Sequence, residues 1–204
     1  MPNRVALIDY GVGNLRSVGK ALQQLGCCVE VTSEPNSLAQ ADKLVLPGVG
    51  AFGTGIANLK RLRLVDPIHQ FARTGKPLLG ICLGMQLLLT ESSEMGHHKG
   101  LDLIPGKVVR FPNLEDLTIP HMGWNTLSPC QPTPLFSGLP NQPMVYFVHS
   151  YYVAPANKKF QAATTKHGLE FCSVLISDNI LGTQFHPEKS SKVGLTMLKN
   201  FVEM

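Results

Sequence analysis

The 204 residues are enough for one α/β domain, and a composition of 44% hydrophobic and 16% charged residues excludes a disordered tract. The net charge of +4 is scattered, which argues against nucleic acid as a partner, and no apolar run reaches the roughly 20 residues of a membrane span. The five cysteines (Cys27, Cys28, Cys82, Cys130, Cys172) are irregularly spaced, a poor disulfide framework, and the first apolar run is too short for a signal peptide, so a reduced, cytoplasmic protein is expected.

In chain order, "RVALID" (Arg4–Asp9) reads as a buried strand. Leu15, Val18, Leu22 and Leu25 recur at helical spacing, and Gly26 stops that helix. "CVEVT" and "DKLVLPG" are the second and third strands. Helical patterns follow around Ile56–Leu62 and Leu64–Thr74. "KPLLGIC" is the fourth strand, and "MQLLLTES" is expected to begin another helix. This alternation predicts a parallel sheet covered by helices on both faces. The second half is richer in proline and β-forming runs: "KVVRF", "PMVYFVHSYYV", "FQAATT", "LEFCSVLI" and "NILGTQF". These predict antiparallel strands added to the parallel core. Pro129–Pro143 is expected to be a surface loop, and "KVGLTMLKNFVEM" a terminal helix. No composition break divides the chain, so residues 1–204 are expected to form one domain.

"GICLG" (Gly80–Gly84) places Cys82 between glycines where a strand gives way to a helix. In the G-x-S-x-G elbow such a turn lifts a nucleophile clear of the sheet. A helix N-terminus favours the thiolate, and the Leu83 N–H would face a developing oxyanion. A small buried cysteine in a tight turn fits the same residues. A thiol nucleophile needs a base and an orienting group. In "TQFHPEKS", His186 and Glu188 flank Pro187, and extended backbone would put both on one face. An exposed strand end with two polar residues is the other reading. His97 and His98 fall in a polar loop and are expected to be solvated. His69 and His167 carry no clear signal.

"LPGVGAFGTG" matches G-x-G-x-x-G at Gly48, Gly50 and Gly53, which raises a dinucleotide site. The match follows the third strand rather than opening the first β-α unit. A nest of backbone N–H groups for negative charge is the alternative, with the Val49 N–H as a second oxyanion donor.

Together, "LPGVGAFG", "GICLGMQ" and "TQFHPEKS" resemble the class I (triad) glutamine amidotransferases, in that family's chain order and over essentially the whole chain. The resemblance implies a flavodoxin-like three-layer α/β/α fold with added antiparallel strands. It implies Cys82 as nucleophile on the glutamine amide, His186 as proton carrier and Glu188 as its orienter. Val49 and Leu83 N–H groups would form the oxyanion hole. Gly50, Gln86, His149, Ser150 and Tyr151 would hold the substrate. No cofactor and no metal is implied. More narrowly, "IDYGVGNLRSV", "PGVGAFG" and "PHMGWN" (Pro120–Asn125) resemble the branch of the family that delivers ammonia to a (β/α)8-barrel cyclase of histidine biosynthesis, as one half of a heterodimer. The anthranilate synthase type, kept as the alternative, usually carries P-G-P-G at the oxyanion segment. Met122, Trp124, Asn125 and Lys189 are the implied interface residues. The free subunit is expected to be nearly inactive, because a glycine-flanked oxyanion segment can flip its peptide.

Overall fold

The computed structural model describes residues 3–115 and 117–204. Its elements in chain order begin with β1 (Arg4–Ile8), α1 (Leu15–Gln24), β2 (Cys28–Thr32), α2 (Pro35–Gln40) and β3 (Lys43–Leu46). Then come α3 (Phe52–Arg61), α4 (Val65–Arg73), β4 (Leu78–Ile81), α5 (Leu83–Leu87), β5 (Leu89–Ser92), β6 (His98–Lys99) and β7 (Ile104–Arg110). The second half adds β8 (His121–Thr126), β9 (Ser128–Pro129), β10 (Met144–His149), β11 (Tyr151–Pro155), β12 (Gln161–His167), β13 (Leu169–Ser177), β14 (Ile180–Thr183) and α6 (Ser191–Glu203).

Strands β2, β1, β3, β4 and β14 lie side by side and parallel, in the flavodoxin-like order. The sheet continues antiparallel through β13, β11 and β7. Period-two alternation sorts the core. Ala6, Ile8, Leu44, Leu46 and Leu78 face α3 and α4, whose Ile56, Leu59, Ile68 and Phe71 are buried against them. Val5, Leu7, Val45, Leu79 and Ile81 face α1 and α6, through Val18, Leu22, Met197, Leu198 and Phe201. Each such large apolar side chain stabilises the fold by about 1.5–3 kcal/mol relative to exposure. The three-layer expectation holds.

Four expectations are corrected. "MQLLLTES" is not one helix: α5 is five residues long, and Leu89 opens β5. The segment 101–103 takes the carbonyls a longer helix would use, with Leu101 N–H on Leu87 O (2.8 Å), Leu103 N–H on Leu88 O (2.9 Å) and Asp102 N–H on Leu89 O (3.1 Å). A wholly buried run of leucines has no period to read. "NILGTQF" supplies β14, which joins the parallel core, not the antiparallel extension. "PMVYFVHSYYV" is two strands broken at Ser150, and β10 leaves the main sheet to form a ribbon with β8. His98 is not a loop residue: it belongs to β6, partly buried, and a Cβ on Gly53 would stand 2.7 Å from its ring. The Pro129–Pro143 loop is anchored by buried Leu135.

Candidate active site

The site forms at the carboxyl ends of the parallel strands, where α/β sheets usually hold ligands. Cys82 follows β4 with φ 54° and ψ −109°, a conformation that costs an L-residue about 1–3 kcal/mol. Its N–H is tied to Thr183 O at 2.7 Å, which locks the elbow to β14. The glycines are required by contact rather than by φ. A Cβ on Gly84 would stand 1.7 Å from Leu46 O, and one on Gly80 would stand 2.7 Å from Met85 N.

His186 is extended (φ −98°, ψ 98°), and Glu188 lies in the short 3-10 turn that follows, so a turn rather than a strand face brings them together. His186 Nδ1 donates to Glu188 Oε1 at 2.9 Å. The two side chains are 2% and 0% exposed, which removes the solvated strand-end reading. Burial alone pushes the imidazole pKa down. The neighbouring Cys82 and the hydrogen-bonded Glu188, with their charges, outweigh it and lift the group to about 9. Nε2 is buried and has no hydrogen-bond partner among the described residues.

In front of the sulfur is a cavity of about 370 Å3, lined by Val49, Gly50, Cys82, Leu83, Gln86, Glu94, Val148, His149, Ser150 and Tyr151. Every residue expected to bind substrate or stabilise an oxyanion is therefore on its wall. Gln86 is pinned by its amide to Tyr151 O (3.0 Å) and Gln184 Oε1 (3.3 Å). The Leu83 N–H points to Gly48 O at 3.4 Å. In a trans peptide the N–H lies opposite the C=O, so the Val49 N–H points away from the Leu83 N–H. Tyr10 braces the segment by donating to Pro47 O at 2.6 Å.

Sequence reading missed Tyr10, Glu94, Gln184 and the partners of His149. Glu94 lines the cavity, and its Oε2 accepts the Phe52 N–H at 2.7 Å. Gln184 reaches Cys82 Sγ at 3.9 Å. His149 Nδ1 lies 2.8 Å from Tyr151 O, which can only accept, so Nδ1 carries the proton. His149 Nε2 then accepts from His121 Nδ1 at 3.0 Å, and His121 Nε2 accepts from Asn125 Nδ2 at 3.1 Å. Burial pushes His149 down to about 3 and His121 down to about 4, so both stay neutral and this directed chain persists. His167, without a clear signal in the sequence, stacks on His121 with ring centroids 4.1 Å apart. Of the expected interface residues, Met122 and Trp124 are 62% and 51% exposed on β8, and Lys189 is exposed beside the His186 turn. Among the described residues, no group of three or more His, Cys, Asp or Glu is placed to hold a metal, and no helix is long and apolar enough to cross a membrane.

The sequence model of glutamine amidotransferase class-I matches residues 6–204. The chain belongs to the class-I glutamine amidotransferase family. It is 53% identical to the imidazole glycerol phosphate synthase subunit HisH of Syntrophotalea carbinolica, over 98% of this chain and 100% of that one. It is 51% identical to the HisH subunit of Geobacter sulfurreducens (98% and 99% covered), and 47% to that of Methanosarcina barkeri (98% of each). Among solved structures it is similar in fold to PurLQS from Thermotoga maritima, with a TM-score of 0.78 at 18% identity, covering 100% of this chain and 99% of that chain. A glutamine amidotransferase from the same organism gives 0.67 at 18% identity, covering 95% and 79%.

Proposed function

We propose that this chain, as one domain, is the glutaminase subunit of an imidazole glycerol phosphate synthase. The observation that carries the reading is the buried His186–Glu188 pair set beside Cys82, which lines a cavity with the expected substrate-binding residues on its wall. The full-length HisH relatives support this branch over the anthranilate synthase type.

The Cys82 thiol passes its proton to His186, its sulfur attacks the side-chain amide carbon of glutamine, and the carbonyl oxygen becomes an oxyanion. His186 passes a proton to the departing nitrogen, the C–N bond breaks and ammonia leaves a γ-glutamyl thioester. Water, deprotonated by His186, attacks the thioester and releases glutamate and the thiol. Glu188 holds the His186 tautomer throughout. Gly50, Gln86, Ser150, Tyr151 and the backbone around His149 hold the substrate. Glu94, the carboxylate on the cavity wall, pairs with the α-ammonium group of glutamine. The oxyanion hole of Val49 and Leu83 N–H groups assembles when the Gly48–Val49 peptide turns over, which frees Leu83 from the Gly48 carbonyl.

The ammonia goes to a partner cyclase with a (β/α)8-barrel fold, which makes imidazole glycerol phosphate and an aminoimidazole carboxamide ribonucleotide. Met122, Trp124 and Lys189 face that partner, whereas Asn125, on the opposite face of β8, donates to His121. The test is Cys82→Ala assayed in the complex. Glutamine-dependent synthesis is expected to vanish, while synthesis from added ammonia continues. Glutamate release at the wild-type rate by the variant would overturn the assignment.

A further inference from the structure

Asparagine just before a helix usually turns its side-chain oxygen onto the amides of the first turn. Asn14 holds that position before the ten-residue α1, and its carbonyl accepts the first helical bond, from the Val18 N–H at 3.1 Å. Yet its side chain makes no cap bond. The amide nitrogen is spent on Glu188 Oε1, at 3.2 Å, across 174 residues of chain. An ionised carboxylate only accepts, so the NH2 end must be the one that faces it. The same oxygen receives the His186 Nδ1–H, and the other oxygen, Oε2, is buried with no partner.

We propose that Asn14 is a positioning residue of the thiol site, fixing the Glu188 carboxylate and, through it, the ring plane and Nδ1-protonated tautomer of His186. The inference rests on the glutaminase reading above. The terminal torsion of a glutamate is broad, so one donor alone leaves the carboxylate free to swing. A second donor, anchored to the backbone at the start of α1, removes that freedom. A misplacement of about 1 Å at a reacting group costs on the order of a hundredfold in rate. Forgoing a favourable local cap for this bond is the kind of broken local rule that marks functional sites. Asn14 does not line the cavity, so it acts on chemistry and not on glutamine binding.

The test uses Asn14→Ser and Asn14→Asp in the complex with the cyclase. Both residues are good helix caps, but serine is too short to reach Glu188 and aspartate offers it a like charge. The kcat of glutamine hydrolysis is expected to fall about ten- to a hundredfold, the range for a hydrogen bond to a charged group. The KM for glutamine, the unfolding midpoint and ammonia-dependent synthesis are expected to hold. A wild-type kcat in Asn14→Ser would overturn the proposal. So would a loss matched by a raised KM or a lowered unfolding midpoint, since that is structural damage. Cys82→Ala in the same assay separates the two claims: wild-type turnover there would sink the glutaminase reading itself, whatever Asn14 does.

Discussion

At the residue scale, His186 links the chemistry to stability. Its pKa in the folded chain, lifted to about 9 despite its burial, lies above the ordinary value of 6.5. A group raised in the folded state contributes stability that is fully present below its unfolded pKa and is lost as pH rises through its folded one. Wild-type unfolding free energy is therefore expected to fall between about pH 6.5 and about pH 9. His186→Gln should lack that decline, as followed by urea unfolding across the range. Parallel curves for the two proteins would contradict the assignment. "GICLG" was readable as an elbow because its glycines are forced by close backbone contacts. The role of Asn14 was not readable, because its partner lies 174 residues away and its neighbours in sequence suggest only a helix cap.

At the element scale, the β8–β10 ribbon connects an exposed apolar face to the site. Trp124 pairs with Tyr146 across the ribbon. Tyr146 O accepts the His186 N–H at 3.0 Å, and the Tyr146 N–H donates to Ser190 Oγ at 3.0 Å. The Asn125–His121–His149 chain leads from the same ribbon to the Tyr151 carbonyl, which also holds Gln86. Trp124→Ala is expected to weaken cyclase binding by about 2 kcal/mol, roughly thirtyfold in Kd, as a truncated aromatic anchor does. The unfolding midpoint of the free chain should stay put, because the indole is half exposed. Equal affinities by calorimetry would remove Trp124 from the interface. The ribbon itself was hidden in the sequence: "HMGWNT" contains a glycine and lacks clean alternation, and its partner strand lies beyond a proline-rich loop. The strands and helices of the parallel half were legible because their apolar periods are plain. The α5–β5 boundary was not, because leucines buried on every side erase the period.

At the scale of the whole molecule, the parallel sheet gathers the ends of β1, β3, β4 and β14 onto one edge. Tyr10, the Gly48–Gly50 segment, Cys82 and His186 arrive there from four separate stretches of chain. Cys82, the His186–Glu188 pair and the cavity are already in place, whereas the Leu83 N–H points to the Gly48 carbonyl. A partner that favours the turned peptide would complete the site by shifting this population. Removing one oxyanion donor typically costs about a hundred- to a thousandfold in kcat. The decisive measurement is glutamate release by the free chain and by the complex with cyclase and its ribonucleotide ligand. At saturating glutamine the complex is expected to turn over at least about a hundredfold faster. Comparable turnover by the free chain would contradict the account.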